Sequence, residues 1–272
     1  MNLLMVEMRR AMRRRVVRVL IVLALVASAF AGVIAFLDSR GKTLTELQAK
    51  GGDLHPSVIT HWWLAGPADG AVLIASMFLL LGGVFAGAAV AGAEWRAGTI
   101  TTVLTWETRR VRLHLTRTAA CGILAFGISL VLQVVFLASF VPAAVANGST
   151  AGTDADWWTS LALVIARTSL LTSVGAMLAV GLATLGRNTA FALAALFAWM
   201  AVIEGLVRQL RPGWAQYLWG ENIGTVVPWA QLKDVEFSRG PWLALATLVL
   251  YTSVIVAAAT ITFQRRDIAG AS

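Results

Sequence analysis

Long apolar runs separated by polar segments occupy most of the chain. A helix that crosses the hydrocarbon core of a bilayer needs roughly 20 predominantly apolar residues. The runs are continuously apolar and rich in Ala, Leu, Val and Gly, a pattern that favours helices over the alternating strands of a membrane barrel. The sequence therefore predicts an all-α integral membrane protein with six transmembrane helices, near residues 16–37, 70–93, 118–146, 158–185, 189–207 and 241–262.

The polar segments between the runs are unequal in length. On the side of the two termini, residues 94–117 form a long basic loop, whereas residues 186–188 form only a short turn. The other side carries loops 38–69, 147–157 and 208–240. We interpret residues 1–272 as one transmembrane domain whose long loop, 94–117, binds a partner.

Composition and charge support a membrane location. Hydrophobic residues make up 58% of the chain and the mean hydropathy is +0.76, which argues against a soluble domain. The net charge of +8 is explained by arginines that flank the predicted spans, because they concentrate in residues 9–18, 109–117 and 265–266. Positive residues favour the inner side, so both termini are predicted to be cytoplasmic, and no nucleic-acid partner is expected.

The N-terminal residues 1–15 have a helical pattern of their own. Met and Leu side chains fall on one side of the possible helix and arginines fall largely on the other. This pattern predicts an amphipathic helix at the membrane interface. A disordered basic tail that only sets the orientation of the first span is the alternative.

Tryptophan recurs at the predicted outer ends of the spans. An indole is apolar with one polar N–H, so it suits the headgroup region. We therefore expect an anchoring belt that consists of Trp62, Trp63, Trp157, Trp158, Trp214, Trp219, Trp229 and Trp242.

Catalytic motifs are absent from the sequence. It contains no phosphate-binding P-loop, no zinc-protease motif and no nucleophile elbow, and its one cysteine is Cys121 in the third predicted span. His55 and His61 with Asp53 lack a third strong metal ligand, so a solvated loop is favoured over a metal site. We expect no enzyme activity and no bound metal or cofactor, and any energy has to come from another chain.

The segment from residue 93 to residue 110 is the most informative. Glu94 ends the second span, Gly98 permits a sharp change of direction, and Thr99 and Thr108 can cap the helices that follow. This pattern predicts a short helix along the membrane surface. Alternatively, Glu94 is a solvated carboxylate at a helix end, and Arg109 and Arg110 only set the orientation of the spans in the membrane.

In this segment the sequence resembles the permease subunits of ABC-2 type transporters. Glu94, Gly98-Thr99, Leu104-Thr105 and Thr108-Arg109 match the family elements in order, although Trp106-Glu107 stands where the family often has Pro. Two further matching segments, 186–190 and 263–268, extend the likeness over nearly the whole chain.

This resemblance implies an ABC-2, type V exporter-like fold in the cell membrane, such as a bacterial inner or plasma membrane. It also implies a homodimer or heterodimer of permeases with two ATP-binding subunits, which hold ATP and Mg. The residues that would receive the motion of those subunits are Glu94, Arg96, Gly98, Thr99, Leu104, Thr105, Thr108, Arg109 and Arg110.

Charged and amide side chains are rare within the predicted spans. Arg167 lies roughly 14 Å into the fourth span, where an isolated charge costs on the order of 2.5 to 3.5 kcal/mol. Glu204 in the fifth span lies within about one helical turn of the same depth, so we expect the two to pair or to line a polar cavity. The alternative is that Arg167 extends to the outer headgroups. Gln133 is the other strongly polar group.

These features favour a permease that exports a hydrophobic or amphipathic compound, such as a drug, a lipid or a natural product. The few charges in the spans disfavour a strongly charged substrate. A membrane scaffold or assembly factor without a transport cycle is the alternative. An intramembrane enzyme is the weakest hypothesis, because paired Asp, His or Ser–His groups at membrane depth are lacking.

Overall fold

The computed structural model describes residues 3–48, 55–63, 70–100, 105, 109–230 and 238–265. Within these residues the chain forms the helices α1 Leu3–Met12, α2 Arg15–Asp38, α3 Leu44–Gln48, α4 Ala71–Arg96, α5 Arg110–Ala138, α6 Val141–Ala146, α7 Ala155–Gly186, α8 Thr189–Ala198, α9 Glu204–Leu210, α10 Trp219–Val226 and α11 Pro241–Arg265. A π-helical segment, Trp199–Ile203, joins α8 to α9, and short 3-10 helices lie at Ile59–Trp62 and Pro212–Tyr217.

The prediction of six membrane-spanning helices is confirmed for the part of the chain that the structure describes. The spans are α2, α4, the α5–α6 unit, α7, the α8–α9 unit and α11, each long and apolar enough to cross a membrane. The third span begins at Arg110 and not near residue 118. The first turns of this span carry polar side chains, and the sequence therefore suggests a loop there. In the structure these turns are helical, and His114 and Arg117 are buried.

Helix α7 is the centre of the bundle. Of its most apolar 18-residue window, 67% is buried, against 17% for α2 and for the fifth span. It packs against α4, α5, α8 and α11. Small side chains along α7, among them Gly175, Ala176 and Ala179, let the neighbouring backbones approach closely.

The pair Gly83 and Gly87 allows close helix approach, but the sequence leaves open whether this surface packs within the subunit or at a dimer seam. In the structure Gly83 faces the backbone and side chain of Thr172, and Gly87 faces the backbone of Ala176. A Cβ atom at either glycine would overlap these atoms. The two glycines therefore bring α4 against α7 within the subunit.

The outward surface of α2 is almost entirely apolar. Val19, Val22, Leu23, Val26 and Phe30 are all exposed on it. An exposed apolar surface of this length is typical of contact with lipid chains, because the helix satisfies its own backbone hydrogen bonds. The chain is a multi-pass membrane protein.

Side-chain contacts define two opposite faces of the bundle. On one face, Arg14 before α2 contacts the end of α4, and Trp95 of α4 contacts Phe263 near the end of α11. We call this end the basic face, and the other end, which holds residues 38–48, 55–63 and 211–230, the opposite face. The first span therefore begins, and the sixth span ends, on the same face.

The tryptophan belt is only partly present on the opposite face. Trp158, Trp214 and Trp242 are exposed, as an anchoring belt requires. Trp62, Trp63 and Trp219 are instead buried in the core, which corrects the prediction for them. For example, Trp62 donates its indole N–H to the Pro56 carbonyl at 2.7 Å and packs on Phe140.

Gly87→Ala tests the contact between α4 and α7. The added methyl group meets the Ala176 backbone, so we expect a loss of about 1–3 kcal/mol in the free energy of unfolding. Gly82→Ala is the matched control, because nothing lies within 4 Å of its Cβ position. Thermal unfolding in one detergent compares the two variants. Equal melting temperatures would contradict the close approach at Gly87.

Candidate functional site on the basic face

Glu94, in the last turn of α4, is buried at the basic face and bound by two arginines. Its Oε1 lies 2.7 Å from Nη2 of Arg14, and its Oε2 lies 2.7 Å from Nη2 of Arg117. Arg14 lies between α1 and α2, and Arg117 belongs to α5. One carboxylate thus joins the end of the second span to the chain before the first span and to the third span.

The ion pairs continue from Arg117 into α1. Nε of Arg117 lies 3.2 Å from Oε2 of Glu7, and Oε1 of Glu7 accepts a hydrogen bond from Arg10 at 2.8 Å. We call the five residues Glu7, Arg10, Arg14, Glu94 and Arg117 the Glu94 cluster. Side chains of Glu7, Glu94 and Arg117 are all more than nine-tenths buried. The amphipathic helix α1 is therefore held against α5 by charge as well as by apolar contact.

The Glu94 cluster has a clear energetic consequence. Two buried carboxylates share three guanidinium groups, so each buried charge has an opposite charge in contact. A buried ion pair contributes little net stability, because desolvation offsets the attraction. Removal of one partner, however, leaves an uncompensated buried charge and costs about 3–5 kcal/mol. The cluster therefore fixes the relative positions of α1, α4 and α5.

An aromatic cluster lies on the other side of the same turn of α4. The rings of Trp95 and Phe263 are nearly perpendicular, with 6.1 Å between their centroids, and the Phe263 centroid lies 5.9 Å from that of His114 of α5. Arg187, in the turn between α7 and α8, stacks over Trp95 at 5.2 Å. Glu94 and Trp95 together connect the end of α4 to α1, α5, α11 and the α7–α8 turn.

The chain beyond this turn is exposed to solvent. Arg96, Ala97, Gly98 and Thr99 are exposed, whereas Ile100 is buried against Leu113 and Phe263. Gly98 has φ +66°, a left-handed conformation that favours glycine, so the predicted sharp change of direction is confirmed. We call residues 96–99 the exposed turn. It protrudes between two buried anchors.

The remaining residues of the predicted coupling element are distributed along the same face. Thr105 is helical and exposed, and Nη1 of Arg110 lies 3.5 Å from the Gln264 carbonyl. Arg109 occupies the N-cap position of α5, the role that the sequence assigns to Thr108. Leu104 and Thr108 lie outside the described residues. The alternative reading of Glu94 as a solvated carboxylate is wrong, because the group is buried.

The sequence predictions omit Glu7, Arg14 and Arg117 as site residues. In the sequence the two arginines look like ordinary orientation charges at the ends of spans. A usable signal existed at Glu7, because it is the one acidic residue before Asp38 and stands among many arginines. A lone carboxylate in a basic segment is a candidate for a buried ion pair.

Glu204 forms a separate charged site near the opposite face. Its carboxylate accepts the backbone N–H of Trp219 at 2.9 Å and that of Gly220 at 3.1 Å, at the N-terminus of α10. Arg208 donates to it at 3.1 Å and also to Glu221. The first turn of a helix offers free N–H groups and a positive dipole end, so a buried carboxylate is stabilised there.

Arg167 does not pair with Glu204, and that hypothesis is wrong. The guanidinium of Arg167 instead lies over the ring of Trp229 at 4.7 Å from the centroid. Glu204 is satisfied by Arg208, one turn later on the same helix, and by the backbone of α10. The segment after the fifth span thus supplies Trp229 to Arg167 and the α10 backbone to Glu204.

Gln133 lies within a buried polar cluster at the contact of α4, α5 and α7. Its Nε2 donates to Oγ of Ser169 at 3.1 Å and to the Ile165 carbonyl at 3.3 Å. Nearby, the hydroxyls of Ser76 and Thr168 are 2.9 Å apart. Such hydrogen bonds between helices hold spans together in lipid, so this cluster packs the centre of the bundle.

Comparison with known proteins adds no assignment. No protein-family profile matches the chain, and no curated protein matches it in sequence.

Glu94→Gln tests the burial of the Glu94 cluster. Loss of the charge leaves Arg117 with less compensation, so we expect the free energy of unfolding to fall by about 3–5 kcal/mol. Arg96→Gln, two residues away and exposed, should change it by no more than about 0.5 kcal/mol. Unfolding of both variants in the same detergent gives the comparison. If both are as stable as the wild type, Glu94 is not buried with its partners.

A pair of double-mutant cycles tests the partners of Glu204. Glu204→Gln combined with Arg167→Met should be additive to within about 0.3–0.5 kcal/mol, because the two groups do not touch. Glu204→Gln combined with Arg208→Met should show a coupling of about 0.5–3 kcal/mol. The free energies of unfolding of the single and double variants in one detergent give both coupling energies. If the coupling free energy of Glu204 with Arg167 exceeded that with Arg208, the conclusion that Glu204 pairs with Arg208 and not with Arg167 would be wrong.

Proposed function

We propose that this chain is the permease subunit of an ABC-2 type transporter in the cell membrane, with its basic face in the cytoplasm. Two permeases, identical or different, would assemble with two copies of a separate ATP-binding subunit. That subunit would hold ATP and Mg, and this chain would form half of the membrane pathway. Its cargo would be a hydrophobic or amphipathic compound that is exported.

The observation that carries this proposal is the exposed turn, residues 96–99, between its two buried anchors. Glu94 and Trp95 precede the turn and Ile100 follows it, and all three pack into the bundle. An exposed segment with rigid supports on both sides is suited to receive force from a partner. A flexible loop would absorb the same displacement without passing it on.

Movement of the exposed turn would reach most of the bundle through direct contacts. Glu94 passes it to α1 and α5 through Arg14 and Arg117. Trp95 passes it to α11 through Phe263 and to the α7–α8 turn through Arg187. Closure of ATP-binding subunits below this face would thereby bias the bundle between inward-open and outward-open states.

The distribution of charge supports the proposed orientation. Besides Arg96 in the exposed turn, exposed arginines occur in the segments that form the basic face, among them Arg9, Arg13, Arg15 and Arg112. Arginine enrichment of this kind marks the cytoplasmic side of membrane proteins. ATP is present on that side, and the sequence itself contains no P-loop to bind it.

The interior supports an apolar or amphipathic cargo. The two charged groups deepest in the spans both contact protein, since Glu204 caps α10 and Arg167 stacks on Trp229. A cavity of about 360 Å³ between α4, the fifth span and α10 is lined mainly by apolar side chains, with Ser76 as a polar lining residue. Such a surface would bind an ionic cargo poorly, because it offers no charged partner to offset the free-energy cost of desolvating the charge.

Reconstitution with a partner ATPase tests the proposal. A P-loop ATPase encoded beside this chain should co-purify with it, and the complex should hydrolyse ATP faster than the isolated ATPase. Arg96→Glu should reduce this stimulation about tenfold, because it reverses a charge on the exposed turn without disturbing the buried anchors. ATP hydrolysis in proteoliposomes is the measurement.

Arg211→Glu is the matched control, because it reverses an exposed arginine on the opposite face. This variant should stimulate ATP hydrolysis by the partner ATPase as much as the wild type does. Equal loss in both variants would show that the exposed turn is not the contact. If no P-loop ATPase is bound or stimulated at all, the proposal is wrong and a membrane scaffold becomes the better description.

A further inference from the structure

We propose that the cleft between α2 and α4 is a binding site for one phospholipid with a zwitterionic, amine-bearing headgroup. This inference goes beyond the proposed transport function, because it concerns the isolated chain and needs neither ATP nor a partner subunit. It is carried by the size of the cleft, its apolar interior and the paired charges at one end.

The cleft has a volume of about 910 Å³ and lies at the half of α2 nearest the opposite face. Ligand sites in proteins commonly measure about 300–1,000 Å³, so the space is large enough for a substantial part of a lipid. The walls are α2 and α4, and Phe136 and Phe140 line the cleft from the third span.

The composition of α2 explains why the two helices stand apart here. The residues of α2 that line the cleft are mostly small, among them Ala24, Ala27, Ala31 and Ala35. Bulky residues such as Phe30 and Val33 lie on other sides of the helix and are exposed. The alanines cannot reach α4, and the space between the helices stays open.

Water is a poor occupant of this interior. A stable buried water needs two to four polar partners, whereas the deep part of the cleft is lined by alanine, leucine and phenylalanine side chains. An acyl chain satisfies such a surface by apolar contact alone. Because α2 is the most peripheral span together with the fifth, lipid is also the nearest source of apolar chains.

The outer end of the cleft carries charges of both signs. Asp38 and His55 line it there, with Nε2 of His55 at 2.9 Å from Oδ2 of Asp38. Lys42, one turn after Asp38, places its Nζ at 2.7 Å from the same oxygen. The Asp38 and Lys42 side chains are about half exposed, so both can also contact a ligand.

A carboxylate beside an ammonium group complements a headgroup that carries a phosphate and an amine. The phosphate would contact Lys42 and the amine would contact Asp38, while the acyl chain would lie along the alanines of α2. A headgroup with a net negative charge would place its phosphate near Asp38 without an amine to compensate. The rim therefore favours phosphatidylethanolamine over phosphatidylglycerol.

Native mass spectrometry of the delipidated protein tests the site. The protein in detergent is titrated with phosphatidylethanolamine or phosphatidylglycerol of identical acyl chains. We expect one phosphatidylethanolamine to bind roughly two- to fivefold tighter than phosphatidylglycerol, the ratio expected for an exposed charge pair. Asp38→Asn should remove this preference. An equal or reversed preference in the wild type would overturn the headgroup assignment.

Filling the cleft tests the position of the chain. Ala31→Trp, and one turn away Ala27→Leu as a milder change, should abolish the bound lipid. Val33→Trp adds the same side chain on an exposed side of α2 and should leave lipid binding unchanged. Melting temperatures identify any variant that fails to fold, and Ala27→Leu then decides. Equal lipid retention in the cleft and control variants would refute the site.

A second copy of the chain is the competing occupant of the cleft. Ala31→Cys labelled with a photoreactive probe distinguishes the two cases. Cross-linking to phosphatidylethanolamine in liposomes supports the proposal. Cross-linking only to a second protein chain would show that the cleft is a dimer contact, and the lipid site would be wrong.

Discussion

A carboxylate buried in an apolar bundle needs positive charge within reach, and the structure of this protein depends on how Glu94 meets that need. Its two oxygens each face a guanidinium, one from Arg14 and one from Arg117. Because neither charge can be left alone without a cost of several kcal/mol, three segments distant in sequence are held at fixed positions. Glu7 extends the same constraint into α1.

This constraint gives the basic face its organisation. The exposed turn lies between the packed residues Glu94 and Trp95 before it and the buried Ile100 after it, so its two ends are held in place although the turn is not buried itself. The opposite face uses a different device, in which Glu204 caps the N-terminus of α10. Buried carboxylates with several donors thus organise both ends of the bundle, Glu94 with Glu7 on the basic face and Glu204 on the opposite face.

Apolar run length was sufficient to predict the six spans, because bilayer thickness sets the length of each helix. The partners of the charges were harder to predict. An arginine near a span end looks the same in sequence whether it is exposed, as Arg96 is, or forms a buried ion pair, as Arg117 does. The similar depths of Arg167 and Glu204 in their spans suggested that they pair. In the structure Glu204 instead accepts hydrogen bonds from Arg208 and from the backbone of α10. The i, i+4 spacing of Glu204 and Arg208 was the readable signal.

Hydrogen exchange of α1 tests most directly the claim that the Glu94 cluster holds this helix to the bundle. A ten-residue helix is marginal by itself, so protection of its amides has to come from tertiary contact. The account predicts slow exchange across residues 3–12 in the purified wild type and at least about tenfold faster exchange in Arg117→Gln, whereas Arg96→Gln, at an exposed arginine, should exchange like the wild type. Fast exchange in the wild type, or equal protection in all three proteins, would contradict it.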